Sequence, residues 1–230
     1  MRRRRLLRPV WFLAVLLPVT LLSQSAPPGA QQVAPIPMPS DRASDSYLIY
    51  SSLMPLGETV GAGWPHDLWL VQDTTVLAVP LDQPCRERPT ANAGHDWGMN
   101  PHNGVHPPKA REQDFKEILQ DFDAHCHEVL SLSATAWQTT VPVHLLTPTE
   151  QAEFQNTRWE KADEAARAKY KGAPALYGFS EVYFNEHHTV ALVYATHWCG
   201  GLCGEGFWIA FALENGQWKR QNWAAMRWIS

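Results

Sequence analysis

The last 55 residues of this 230-residue chain constrain its fold more than any other stretch. Four apolar or alternating runs, FSEVYFNE, TVALVYATHW, GFWIAFALE and QWKRQNWAAMRWI, follow one another with short turns between them. Alternation with a period of two, bounded by Asn, Gly and Ser clusters, is the pattern of strands rather than helices. Asn215-Gly216 is a two-residue hairpin signal, because the favoured turn needs positive φ at both positions. Asn185 to His188 links the first pair of runs, and HWCGGLCGEG (197–206) links the second and third. Strands in a meander after helices predict an α+β fold: helices packed on a C-terminal four-stranded antiparallel sheet.

Helical periodicity occurs upstream. SDSYLIYSSLM (44–54) spaces Tyr47, Leu48, Tyr50, Ser51 and Met54 as a short helix behind Ser and Asp capping residues. DLWLVQDTTVLAV (67–79) reads as a strand, a kink and a second apolar run. In REQDFKEILQDFDAHCHEVLSL, residues Phe115, Ile118, Leu119, Phe122, Cys126, Val129 and Leu130 form one apolar helical face, which weakens from Asp121 to His127. TTVPVHLL predicts a strand whose Pro142 marks an edge or an end. Thr147, Pro148 and Glu150 then open a helix as a capping box, with Phe154, Trp159 and Tyr170 inward on one helix or on two divided near Asn156.

The first residues carry a different signal. MRRRRLLRPVWFLAVLLPVTLLSQSA has a cationic start, an apolar run of 13 residues from Val10 to Leu22, and a small polar end. That is the layout of a cleaved secretory signal peptide over residues 1–25. The run is short beside the ~20 residues of a membrane-spanning helix, so an N-terminal anchor is the lesser reading. Residues 26–45, rich in Pro, Ala and Ser, read as a disordered spacer, leaving 46–230 as a single α+β domain. Export to the periplasm or beyond gives the four cysteines an oxidising destination. Of three pairings, the favoured one joins Cys199 to Cys203 and Cys85 to Cys126, worth about 2 and about 4 kcal/mol by loop-closure entropy.

The segment LYGFSEVYFNEHHTVALVYATHWCGGLCGEGFWIAFALENGQWK resembles a group of uncharacterised secreted bacterial proteins. The matching residues are Ser180, Val182, Phe184, Asn185, Ala191 to Tyr194, Cys199, Gly200, Leu202, Cys203, Gly204, Gly206, Gly216 and Trp218, while Tyr183 departs from the pattern. The resemblance implies secretion and an α+β fold, and it brings no activity.

Several chemistries are disfavoured by the residues themselves. A net charge of −4 with no basic stripe makes nucleic acid an unexpected partner, and a membrane is expected to be met only through the signal segment. There is no Gly-x-Ser-x-Gly elbow, His-Glu-x-x-His, phosphate-cradling glycine loop or dinucleotide fingerprint. No cofactor is therefore expected, with a divalent metal ion as the minor reading. Its candidate ligands are His95, His102 and His106 in a Pro/Gly/His-rich loop at 81–110, with Asp96, His125 and His127 beside them, and His197 with Cys199, Cys203 and Glu205 at the cysteine turn. Trp208, Trp218, Trp223 and Trp228 could stack against a glycan or peptide, or simply pair across strands. The reading that results is an exported, disulfide-stabilised binding or structural module for a small molecule, glycan or protein. The alternative is a small secreted hydrolase, metal-dependent, that uses the His-rich loop.

Overall fold

The computed structural model describes residues 33–54, 67–86, 99–158, 164–201, 203–224 and the backbone of 227–229. The signal segment, His95, Asp96, Trp159, Leu202 and the Trp228 side chain lie outside the described residues. In chain order the elements are β1 (Ile36–Pro37), α1 (Ser40–Leu53), β2 (Trp69–Gln72), α2 (Pro101–Gly104), α3 (Glu112–His125), β3 (Leu130–Ser131), β4 (Val143–Leu146), α4 (Pro148–Thr157), α5 (Glu164–Lys169), β5 (Leu176–Phe179), β6 (Tyr183–Phe184), β7 (Val190–Gly200), β8 (Cys203–Glu214), β9 (Gln217–Gln221) and β10 (Arg227–Ile229). None of the described helices is long and apolar enough to cross a membrane.

The α+β class holds, but the expected sheet needs correcting. The C-terminal runs do pair antiparallel, β6 with β7, β7 with β8, and β8 with β9 and β10. That unit is only part of a mixed eight-stranded sheet. Strand β5 pairs antiparallel with β7 and parallel with β2, which in turn pairs parallel with β4 at the edge. Parallel neighbours of four residues are far apart in sequence and leave no local turn signal, so the pattern of runs could not reveal them.

Both faces of this sheet are covered, which explains the unbroken apolar run of β7. On one face, Ala191, Val193 and Ala195 of β7 and Ile209 and Phe211 of β8 pack with Tyr47, Tyr50 and Leu53 of α1. On the other, Val190, Leu192, Tyr194, Trp208 and Ala210 meet Phe115, Ile118 and Phe122 of α3. A third cluster joins Leu70, Leu146 and Leu176 to Phe154 of α4 and Tyr170. A strand buried on both sides loses the polar half of its alternation.

The folded region starts earlier than Ser46. Ile36–Pro37 pairs parallel with Leu130–Ser131, α1 begins at Ser40, and Arg42 is buried. Residues 33–45 are thus not a spacer; their Pro and Ser content hid one turn of helix and a short strand. The His-rich loop is likewise partly ordered, with α2, a 3-10 turn at Lys109–Arg111 and a buried Val105. Of the two readings for 147–171, the divided one is found: α4 ends at Thr157, next to Asn156, and α5 follows, with Gly172, at φ of 88°, just beyond it.

Local signals that rest on backbone chemistry hold. Asn215 and Gly216 have φ of 52° and 77°, as the hairpin turn requires. At the cysteine turn Gly200, with φ of 142°, uses its conformational freedom, whereas Gly204 and Gly206 lie within β8. The capping box at α4 is complete: Thr147 accepts from the Glu150 backbone N–H, and the Glu150 carboxylate accepts from that of Thr147. Thr147→Ala should lower stability by about 1 kcal/mol, read as a shift in the urea midpoint; an unchanged midpoint would mean that α4 contributes nothing to global stability.

Candidate functional site

A cleft of about 420 Å³ opens where the start of α1, one stripe of α3 and the β6–β7 turn meet. Glu117, Asp121 and His125 supply the α3 side, four residues apart and so on one helical face. Asp41 and Arg42 come from α1, and Phe184, Asn185, Glu186 and His188 from the turn.

Arg42 is the organising residue. Its guanidinium pairs with Asp121 and donates to the Val182 carbonyl at 2.8 Å. Nη1 also lies 2.7 Å from Glu181 Oε1, though off the N–H direction, so this is a charge contact rather than an aligned hydrogen bond. Asp121 accepts further from the Phe184 backbone N–H at 2.8 Å and lies 3.0 Å from His125 Nδ1. One buried cation thus serves two carboxylates and a backbone carbonyl. Burying charge is tolerated only where it is paired in this way.

Glu181, 2% exposed, sits behind the cleft. Burial pushes its carboxyl up to about 7 from an ordinary 4.5, with Asp121 and Glu128 adding to the rise and Arg42 and His125 opposing it. Because the folded-state value is raised, the protonated form favours folding. That contribution is full below about 4.5 and is lost as pH rises through about 7. Glu181→Gln, which stays uncharged, should flatten this slope; urea unfolding of both proteins from pH 4.5 to 7.5 tests it, and parallel curves would refute the assignment.

The turn that closes the cleft is built by Asn185. Its Oδ1 accepts from the backbone N–H groups of Thr189 and Val190 at 2.8 and 2.9 Å, and its Nδ2 donates to Asp114 Oδ1 at 2.9 Å. A side-chain amide that satisfies local backbone donors is the usual device for such turns. His188, with φ of 50°, stacks on Phe184 at 4.6 Å between centroids and 3° between planes. Trp218 lies 5.8 Å from the same Phe184 ring and donates its Nε1–H to Asp45 at 2.9 Å.

The residues singled out in the sequence are dispersed. The expected disulfides are present: Cys85–Cys126 and Cys199–Cys203, with Cα separations of 6.2 and 5.2 Å, as befits an oxidising environment. His102 pairs with Asp123 at 2.7 Å, His106 is exposed, and neither lines the cleft. His125 does line it, whereas His127 rests against Cys85. His197 is buried on β7, 3.5 Å from Glu205 and opposite Tyr177 of β5. Of the four tryptophans, the three whose side chains are described form no common platform: Trp208 and Trp223 pack on the α3 side of the sheet and Trp218 on the α1 side. Arg42 was hidden by its Pro/Ser-rich surroundings, and Glu181 carried no signal beyond being one of several carboxylates.

Comparison with protein-family models, with curated proteins and with solved structures gives no significant match to this chain.

Proposed function

We propose that this protein is an exported, disulfide-stapled binding module whose cleft holds a small organic cation. The cleft itself carries this reading. Its volume of about 420 Å³ falls within the roughly 300–1,000 Å³ of small-molecule sites. Asp41, Glu117, Asp121 and Glu186 line it, and the single guanidinium among them is already engaged by Asp121 and the Val182 carbonyl. The field at the opening favours positive charge, and the Phe184–His188 stack offers a flat wall. Export is supported by the signal-like N-terminus and by the two disulfides. The described loop histidines lend the hydrolase alternative no shared cleft.

Agmatine, which carries an amine and a guanidinium, is a suitable probe, with binding read by titration calorimetry. Saturable binding is expected, weakened several-fold in Glu117→Gln and Glu186→Gln and by added salt. A response to acetate but not to agmatine would reverse the assigned sign of the ligand.

A further inference from the structure

The Cys85–Cys126 bridge has a third potential metal ligand beside it. His127 follows Cys126 directly at the end of α3, and both of its ring nitrogens lie 3.9 Å from Cys85 Sγ. One ligand atom from each of Cys85, Cys126 and His127 falls within 4.8 Å of the others. Among the described residues, no other trio of His, Cys, Asp or Glu meets that spacing.

The surroundings of His127 suit ligation. Its Nε2 lies 3.2 Å from the Pro80 carbonyl, which can only accept, so the ring proton belongs on Nε2. Nδ1 then carries the lone pair, 3.9 Å from Cys85 Sγ. Metal-bound histidines are typically oriented by such a bond from the other ring nitrogen. Cys126 is 1% exposed, whereas Cys85 and His127 are half-buried, so the group is rooted in the core and reachable from outside. Cys85 is held separately through its carbonyl, which accepts from Asn100 Nδ2 at 2.8 Å. Its position therefore does not depend on the sulfur–sulfur bond alone.

We propose that Cys85, Cys126 and His127 form a thiol-gated zinc(II) site, closed while the cysteines are bridged and open once the bridge is reduced. A dithiol reductant would supply two electrons and two protons, becoming a disulfide as the Cys85–Cys126 bond breaks to two thiols. Zinc(II) then displaces both thiol protons and takes two thiolates and the His127 nitrogen, leaving a fourth position for water. Two thiolates and an imidazole with one open position form a recognised zinc donor set, and thiolate donors select such soft ions over calcium or magnesium. Exchange with a small-molecule disulfide, which takes up the two electrons, and two protons from water, and leaves as two thiols, re-forms the Cys85–Cys126 bond and expels the ion.

The test uses the full chain, reduced anaerobically with a phosphine and titrated with cobalt(II) and then zinc(II). Thiolate-to-cobalt charge-transfer absorption is expected at one ion per chain in the reduced protein and not in the oxidised one. Cys199→Ser/Cys203→Ser should retain it and Cys85→Ser should lose it. His127→Ala should weaken zinc binding by more than about tenfold, the effect that even an orienting partner can have on affinity. Zinc should also raise the melting temperature of the reduced wild type but not of reduced Cys85→Ser, which separates a built site from capture by unfolded thiols. No binding after reduction, binding that follows Cys199 and Cys203 instead, or indifference to His127→Ala would each overturn the proposal.

Discussion

Arg42→Met is expected to cost about 3–5 kcal/mol of folding stability, because it removes one partner of a buried ionic cluster and strands the others. The guanidinium is 10% exposed and its carboxylate partners Asp121 and Glu181 are 20% and 2% exposed. Without it, the two carboxyls and the Val182 carbonyl are left with no cation between them. Methionine fills part of the volume, so the loss is mainly electrostatic. Adding Asp121→Asn and Glu181→Gln should recover part of the loss, since a neutral cluster carries no uncompensated charge. Urea unfolding of the single and triple variants measures both. If Arg42→Met stays within about 0.5 kcal/mol of wild type, the level of an ordinary surface change, the cleft floor is solvated and the described cluster is not structural.

The second large effect concerns the long disulfide. Cys85 and Cys126 are separated by 41 residues, and Cys199 and Cys203 by 4. Loop-closure entropy assigns about 4 kcal/mol to the first bridge and about 2 to the second. Cys85→Ala/Cys126→Ala should therefore lower the unfolding free energy about twice as much as Cys199→Ala/Cys203→Ala. Paired alanine variants unfolded in urea give the ratio directly. Equal losses would show that the unfolded chain is already compact around α3, so that closing the longer loop removes little freedom.

What could be read in advance followed the range of the interaction. The capping box at Thr147, the Asn215-Gly216 turn and the apolar face of α3 as far as Cys126 depend on residues a few positions apart, and each is present, whereas Leu130, expected on that face, lies in β3. Cysteine pairing was readable because four cysteines allow only three pairings, and a signal-like start pointed to an oxidising destination. Strands β2 and β4 depend on neighbours tens of residues away, so their place in the sheet left only a short apolar run as its trace. The candidate site was the least legible. Arg42 meets Asp121 and Glu181 only after three distant segments converge, and nothing in a Pro/Ser-rich stretch announces a buried arginine. The histidines drew attention by chemical type, yet His102 and His106 lie away from the cleft.

The Arg42 cluster also sets a clock for biogenesis. Arg42 and the Val182 carbonyl that it binds are 140 residues apart. At about 5–20 residues per second of synthesis, the arginine emerges on the order of ten seconds before its last partner exists. Over that interval the start of α1 has a cation but no complete site in which to bury it, and the β7–β8 hairpin is not yet made. The N-terminal helix therefore cannot complete its burial until the chain through Val182 is at hand.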